Sequence, residues 1–296
     1  MSPVGRTLDI LLITGQSGAG KSIALRTLED SGYYCVDNIP ASLLAELVPR
    51  IGPSIAAPLA ISVDTRSVGG PTSGSDIAAL TAQIDHLRHS GHAVRVLFLE
   101  ARPEVLARRF SETRRPHPLG DPARTLSETI ALERSLLDGI ASQAHRIDSS
   151  DATAPQLARW VRDFAGSAPG HFNLLFQSFG FKNGAPLGMD LVFDVRCLPN
   201  PHYDDALRPL TGRDAGVAGF LAATPEAQAM RHDIAGFLAT WLPRYRDEPR
   251  SYLTVGVGCT GGRHRSVWLA ERLAEDCASL AAVQIRHRDI ERDNPK

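Results

Sequence analysis

From Leu8 to Leu28 an apolar run, a glycine-rich turn and an amphipathic segment follow one another without a gap. Leu8 to Thr14 is rich enough in Leu and Ile to be a strand buried on both faces. Gly15-Gln16-Ser17-Gly18-Ala19-Gly20-Lys21-Ser22 fits the spacing G-x-x-x-x-G-K-[ST]. Ile23, Leu25 and Leu28 then give the following helix an apolar side. Glycines let the backbone wrap an anion with its N–H groups inward, and the helix start adds positive potential at the same point. The segment therefore predicts a phosphate loop between a strand and a helix. Lys21 is expected to reach the β- and γ-phosphates of a nucleotide, and the Ser22 hydroxyl to ligate Mg²⁺.

The rest of the first half repeats strand and helix. Tyr33 to Val36 reads as a strand, and Asp37-Asn38-Ile39-Pro40 follows at its carboxyl end, where ligands of open parallel sheets bind. Asp37 is a contact to substrate or water, or else an Asx turn before Pro40. Pro58 to Val63 is the next strand, closing in Asp64-Thr65-Arg66-Ser67. An acid in that place holds Mg²⁺ opposite the loop serine, so Asp64 is the expected partner of Ser22. Val68 to Ser75 reads as a loop. Val94 to Leu99 is a further strand, and its Glu100 is the second candidate for metal or water. Arg114-Arg115-Pro116-His117 suits a lid over the phosphates or a solvated basic turn. Helices over 125–140 and 155–164 and a short strand over 145–148 complete a parallel sheet with helices on both faces.

Gly166 to Gly170 has the composition of a linker, so domains are expected over 1–165 and 166–296. The fold class is α/β: a P-loop kinase-like parallel sheet in the first domain, and a second, smaller α/β domain. In the second, Asn173 to Phe179 reads as an alternating strand and Leu191 to Arg196 as another. The long loop from Leu198 to Gly212 carries His202 and Arg208. A strand over 252–257 leads into Cys259-Thr260-Gly261-Gly262-Arg263-His264-Arg265-Ser266 and a helix from Val267 to Cys277. Backbone N–H groups, a helix start and Arg265 converge there on an anion site, with Arg196, His202 and Arg208 as walls. The C-x5-R-S spacing is that of tyrosine-phosphatase-type enzymes. Gly258 stands where those carry a His, and the acid loop is missing, so Cys259 is not expected to act as a nucleophile. Residues 285–288, Ile-Arg-His-Arg, read as a terminal basic patch.

The formal net charge of −1 gives no global attraction to nucleic acid or membrane. The four cysteines show neither a CxxC pair nor zinc spacing, and no apolar run approaches membrane-spanning length. The first ten residues lack the apolar core of a signal peptide. The expectation is a cytoplasmic protein with reduced thiols that makes no membrane contact and forms a homo-oligomer.

GQSGAGKS, YYCVDNIP, SVDTRS, FLEA, ETRRPHPL, FQSFGFKNG, FDVRCLPNPHY and GCTGGRHRSV occur in the order and spacing of the RapZ/YvcJ family, which the chain resembles over nearly its whole length. The resemblance implies a nucleotide-binding protein with ATPase and GTPase activity. It implies that residues 15–22 match the ATP motif and Asp64, Thr65, Arg66 and Ser67 the GTP motif. In an enterobacterial branch the family member is an RNase adapter. There the C-terminal domain binds small RNA and senses a sugar phosphate, and the chain ends in a run of Lys and Arg. Here the end is Ile290 to Lys296, with two acidic residues. A regulator sensing a phosphorylated metabolite is the expected function, with a P-loop small-molecule kinase as the alternative.

Overall fold

The computed structural model describes residues 7–63, 73–166, 172–247 and 252–293. The chain divides into two compact units, Met1–Gly170 and His171–Lys296. The loop expected over 68–75 falls mostly outside the described residues, as does most of the linker expected over 166–170.

In the first unit, β1 (Asp9–Gly15), β2 (Tyr34–Ile39), β3 (Leu59–Val63), β4 (Ala93–Glu100) and β5 (His145–Asp148) form one sheet in the order β2-β3-β1-β4-β5. Every pairing is parallel. Parallel strands need crossovers, here α1 (Lys21–Asp30), α2 (Leu44–Ile51), α3 (Ser73–His89), α4 (Pro103–Thr113) and α5 (Leu126–Ala141), with α6 (Ala154–Ala165) closing the unit. Successive residues of β1 serve opposite faces. Ile10 and Leu12 pack with Leu44, Ile84 and Leu137, whereas Leu11 and Ile13 pack with Leu28, Leu106 and Val161. That is why the run is apolar throughout instead of alternating. The helix starts obey local chemistry. Thr125 and Thr153 each accept from the backbone N–H three residues on, and Glu128 and Gln156 close the two capping boxes.

The second unit has β6 (Asn173–Gly180), β7 (Leu191–Asp194), β8 (Tyr252–Cys259) and β9 (Ala282–His287) in the order β7-β8-β6-β9, again all parallel. Its helices are α7 (Ala215–Ala222), α8 (Pro225–Arg246), α9 (Arg265–Cys277) and the short α10 (Arg288–Asp293). Phe176, Val255, Leu238, Trp268 and Leu269 belong to one core. In both sheets the first strand in sequence lies between the third and the fourth, so the chain switches sides there, and ligand crevices form at the carboxyl ends of such strands.

Two expectations fail in the second unit. Asn173 to Phe179 does not alternate in environment. All eight residues of β6 are buried because it is an inner strand covered on both faces. The terminal basic patch is not a surface patch. Arg286, His287 and Arg288 are buried while Ile285 is 39% exposed. Arg288 and His287 have local partners. Arg288 donates to the carbonyls of Gly180 (3.2 Å) and Gly184 (2.8 Å) and pairs with Asp289. His287 sits between the Ser178 hydroxyl (2.8 Å) and Glu271 (3.0 Å).

Candidate functional site

The loop between β1 and α1 is tied down residue by residue. Gly15, Gly18 and Gly20 have φ of 128°, 83° and 110°, where side chains are strained, and a Cβ on Gly15 would run into the Leu99 backbone. Gln16 receives the Ala101 N–H on its side-chain oxygen at 3.0 Å and donates its own N–H to Leu99 at 2.9 Å. Arg109 of α4 donates to the Gly18 carbonyl at 3.0 Å and to Ser149. Ser149 donates to the Ala19 carbonyl at 2.8 Å. Lys21 folds over the loop with its Nζ on the carbonyls of Gly15 (2.6 Å) and Gln16 (3.2 Å). Such a loop holds its shape before any anion arrives.

Ser17 is held by a residue that the sequence did not single out. Its N–H and hydroxyl both donate to Glu133 of α5, which is 1% exposed. Burial alone pushes the Glu133 carboxyl up. The contacts from His117 and Ser17 and the charge of Lys21 overcome that and hold it below the usual value. His117 Nε2 lies 3.3 Å from Glu133 Oε2, a close contact without the alignment of a full hydrogen bond. The Leu119 N–H donates to His117 Nδ1 at 3.1 Å, so the ring proton is on Nε2, facing the carboxylate. Ile130, Glu133, Leu137 and Ile140 are all buried at three- and four-residue spacing. A carboxylate on the apolar stripe of a helix was the signal available in the sequence. Arg109 and Ser149 carry no such signal.

Two clefts open from the loop. One, of about 420 Å³, is lined by Gly18, Lys21, Ser22, Arg109, Phe110 and Arg115. The other, of about 570 Å³, is lined by Lys21, Ser22, Asp37, Asn38, Ser62 and Arg115. Ser22 therefore lines both clefts. Its expected partner Asp64, with Thr65, Arg66 and Ser67, lies outside the described residues. Glu100 does not supply a free carboxylate. It is buried and gripped by Arg146 through two hydrogen bonds of 2.9 and 2.6 Å. Arg115 borders both clefts, and Arg114 ends α4 in the left-handed region.

In the second unit a cleft of about 250 Å³ lies at the ends of β6 and β8 and is lined by Lys182, His202, Thr260, Arg263, His264 and Arg265, with Cys259 and Gly261 also on its wall. Gly262 turns at φ 73°, where Asp289 leaves no room for a Cβ, and its N–H donates to Cys259 Sγ at 3.2 Å. The Cys259 sulfur also lies 3.1 Å from the Ser266 hydroxyl, and Ser266 is buried in the first turn of α9. Burial lowers the pKa of His264 against the backbone contacts with Arg208 and Leu210, and its Nε2 is buried without a hydrogen-bond partner. Arg265 is not simply an anion clamp. One terminal nitrogen is spent on the carbonyls of Arg196 (2.8 Å) and Leu198 (2.9 Å), and the other reaches Thr260 at 3.3 Å, leaving Nε buried and unpartnered. Of the three expected walls, His202 lines the cleft. Arg196 is instead paired with Asp194, and Arg208 with Asp205.

Among the described residues no cluster of three His, Cys, Asp or Glu is placed to hold a metal, and no helix is long and apolar enough to cross a membrane. The RapZ-like N-terminal domain model matches residues 8–168 and the RapZ C-terminal domain model residues 172–291. A nucleotide-binding protein of Laribacter hongkongensis is 51% identical over 287 residues, covering 96% of this chain and 100% of that protein. One from Azoarcus sp. is 52% identical over 286 residues, covering 96% of each. Among solved structures, the tunicamycin resistance protein of Deinococcus radiodurans shares 19% identity at a TM-score of 0.40, covering 55% of this chain and 98% of that one. Shikimate kinase from Acinetobacter baumannii shares 15% at 0.38, covering 54% and 93%. Matched by both domain models and sharing half its residues with relatives along nearly its whole length, the chain belongs to the RapZ family.

Proposed function

We propose that the first unit binds ATP or GTP with Mg²⁺ and hydrolyses it slowly, and that the second binds a phosphorylated small molecule, so that the protein works as a regulator reading both. The observation that carries the nucleotide reading is the braced loop, with Lys21 and Ser22 standing where the two clefts meet. The names of the relatives agree with it. Mg²⁺ would supply charge neutralisation between the terminal phosphates, and Ser22 offers it one ligand. Lys21 exchanges its loop carbonyls for phosphate oxygens, and its ammonium offsets the charge that builds up as the phosphate is cleaved.

The second-unit cleft suits one phosphate and a small body. Its Lys182, Arg263 and Arg265 are cationic, while His202 and His264 offer ring nitrogens. A sugar phosphate is the ligand class we assign. RNA is the weaker reading, because the residues 286–288 that would have formed a basic footprint are buried.

Calorimetry of the full chain tests both parts. ATP and GTP should bind in the presence of Mg²⁺, and Lys21→Ala should weaken them by about 1.5–3 kcal/mol, the scale of a hydrogen bond to a charged group. Normal nucleotide binding by Lys21→Ala would sink the assignment. Glucose 6-phosphate should bind with weak dependence on salt, and a short RNA, if it binds, should weaken steeply with salt. Binding of RNA alone would reverse the ligand assignment in the second unit.

A further inference from the structure

The cleft of about 570 Å³ is unexplained by hydrolysis. A water nucleophile needs about 30 Å³, whereas ligand pockets run from roughly 300 to 1,000 Å³. The two clefts share Lys21 and Ser22, the groups that meet the terminal phosphates in the nucleotide reading. Their outer walls differ. The smaller cleft offers Ile23, Phe110 and an arginine, a surface for a nucleoside. The larger offers Asp37, Asn38, Ser62 and His117.

The backbone is distorted toward this larger cleft. Among the described residues, the two non-glycine residues with positive φ are Asn38 at 60° and Arg114 at 51°. Asn38 lines the cleft, and Arg114 directs the chain into Arg115, which lines it too. The β2–β3 register also breaks between Val36 and Ile39, which brings the exposed Asp37 and Asn38 out of the regular ladder. A bulge re-aims side chains at the cost of ladder bonds, and such local strain collects at functional positions.

From this we infer that the first unit holds a phosphoryl acceptor in the larger cleft, and that the acceptor is a small polyhydroxy compound. The inference rests on the nucleotide reading of the same loop. A carboxylate, an amide and a hydroxyl facing one polar cleft match a ligand rich in hydroxyl groups, and Arg115 spans acceptor and phosphate. In the step, an acceptor hydroxyl oxygen forms a bond to the γ-phosphorus of ATP. The bond from that phosphorus to the β,γ-bridging oxygen breaks, its electron pair leaves on ADP, and the hydroxyl proton passes to the Asp37 carboxylate.

The test uses the full chain with Mg²⁺ and γ-³²P-labelled ATP in the presence of erythritol, ribose, glucose or gluconate, together with calorimetry of ATP alone. Label should enter an organic phosphate with at least one of the four, about tenfold or more above release to water. Asp37→Asn should lose about 100-fold or more of that transfer, the scale of a positioned base, while its ATP affinity stays within a few-fold. Asn38→Gly keeps the left-handed backbone and should retain most transfer; Asn38→Val cannot hold it and should lose transfer. ATP bound but label released only as inorganic phosphate with all four compounds would overturn the acceptor site and leave the nucleotide reading standing. ATP unbound would overturn both. Transfer undiminished in Asp37→Asn would remove its role as the base.

Discussion

Ser17 and Glu133, 116 residues apart in sequence, are joined by three hydrogen bonds, two from the Ser17 N–H at 3.0 and 2.9 Å and one from its hydroxyl at 2.7 Å. A buried carboxylate thus anchors the outer shoulder of the phosphate loop, and His117 leans on the same carboxylate from the segment after α4. The loop and the segment after α4 share one carboxylate. A movement of His117 must therefore be felt at Ser17.

Replacing Glu133 should loosen both. Glu133→Gln turns an acceptor into a donor against either the Ser17 N–H or the His117 Nε2–H. It should cost about 1.5–3 kcal/mol. Glu133→Ala should cost more, about 3–5 kcal/mol, because it strands partners in a dry site. Chemical denaturation followed in the presence and absence of ATP checks this. Unchanged stability in both variants would mean the contact is idle.

The pH dependence has a definite sign. The folded Glu133 pKa lies below its ordinary 4.5, so its charged form contributes stability fully above that value. The contribution is lost as pH falls through the folded value. The gap in melting temperature between the wild type and Glu133→Gln should therefore be widest well above 4.5 and should close as the pH falls through the lowered folded value. A gap that widens in acid would contradict the assignment.

In the second unit, Arg265→Lys should do two kinds of damage. Lysine cannot bridge the Arg196 and Leu198 carbonyls while reaching Thr260, so stability should fall by about 1–3 kcal/mol and glucose 6-phosphate affinity should fall with it. Cys259→Ser should keep that affinity within a few-fold, since the oxygen can still accept from Gly262 and bond Ser266. A burst of product from an aryl phosphate, lost in Cys259→Ser, would instead make the cysteine a nucleophile.

Arg288→Ala should be among the most destabilising single changes in this unit, at about 3–5 kcal/mol. It removes the donors to Gly180 and Gly184 and leaves Asp289 buried beside the Gly180 N–H. Arg208 is half-exposed and paired with the exposed Asp205, so Arg208→Ala serves as a comparison in the same denaturation series. Equal effects from the two would argue against the clamp.

The phosphate-loop sequence and the strand–helix alternation were determined locally. Glycine at positive φ, Lys-Ser opening a helix and an apolar run before it are short-range requirements, written within Leu8 to Leu28. The same holds for the capping threonines and for the glycine-bearing turn that leads from Cys259 into α9. Tertiary structure decided what those loops rest on. Glu133, Arg109 and Ser149 converge on the first loop from separate elements, and nothing local in the sequence announces that three distant polar groups will share one site. It also decided that Glu100 is neutralised by Arg146 and that Arg265 is half consumed by carbonyls, because a side chain's freedom depends on which partners the sheet order brings beside it. The reversal at residues 285–288 has the same origin. A run that reads as a terminal basic patch ends the fourth strand of a sheet and opens α10, and His287 and Arg288 are buried because β6, α9 and the Gly180–Gly184 turn supply the partners that solvent would otherwise provide.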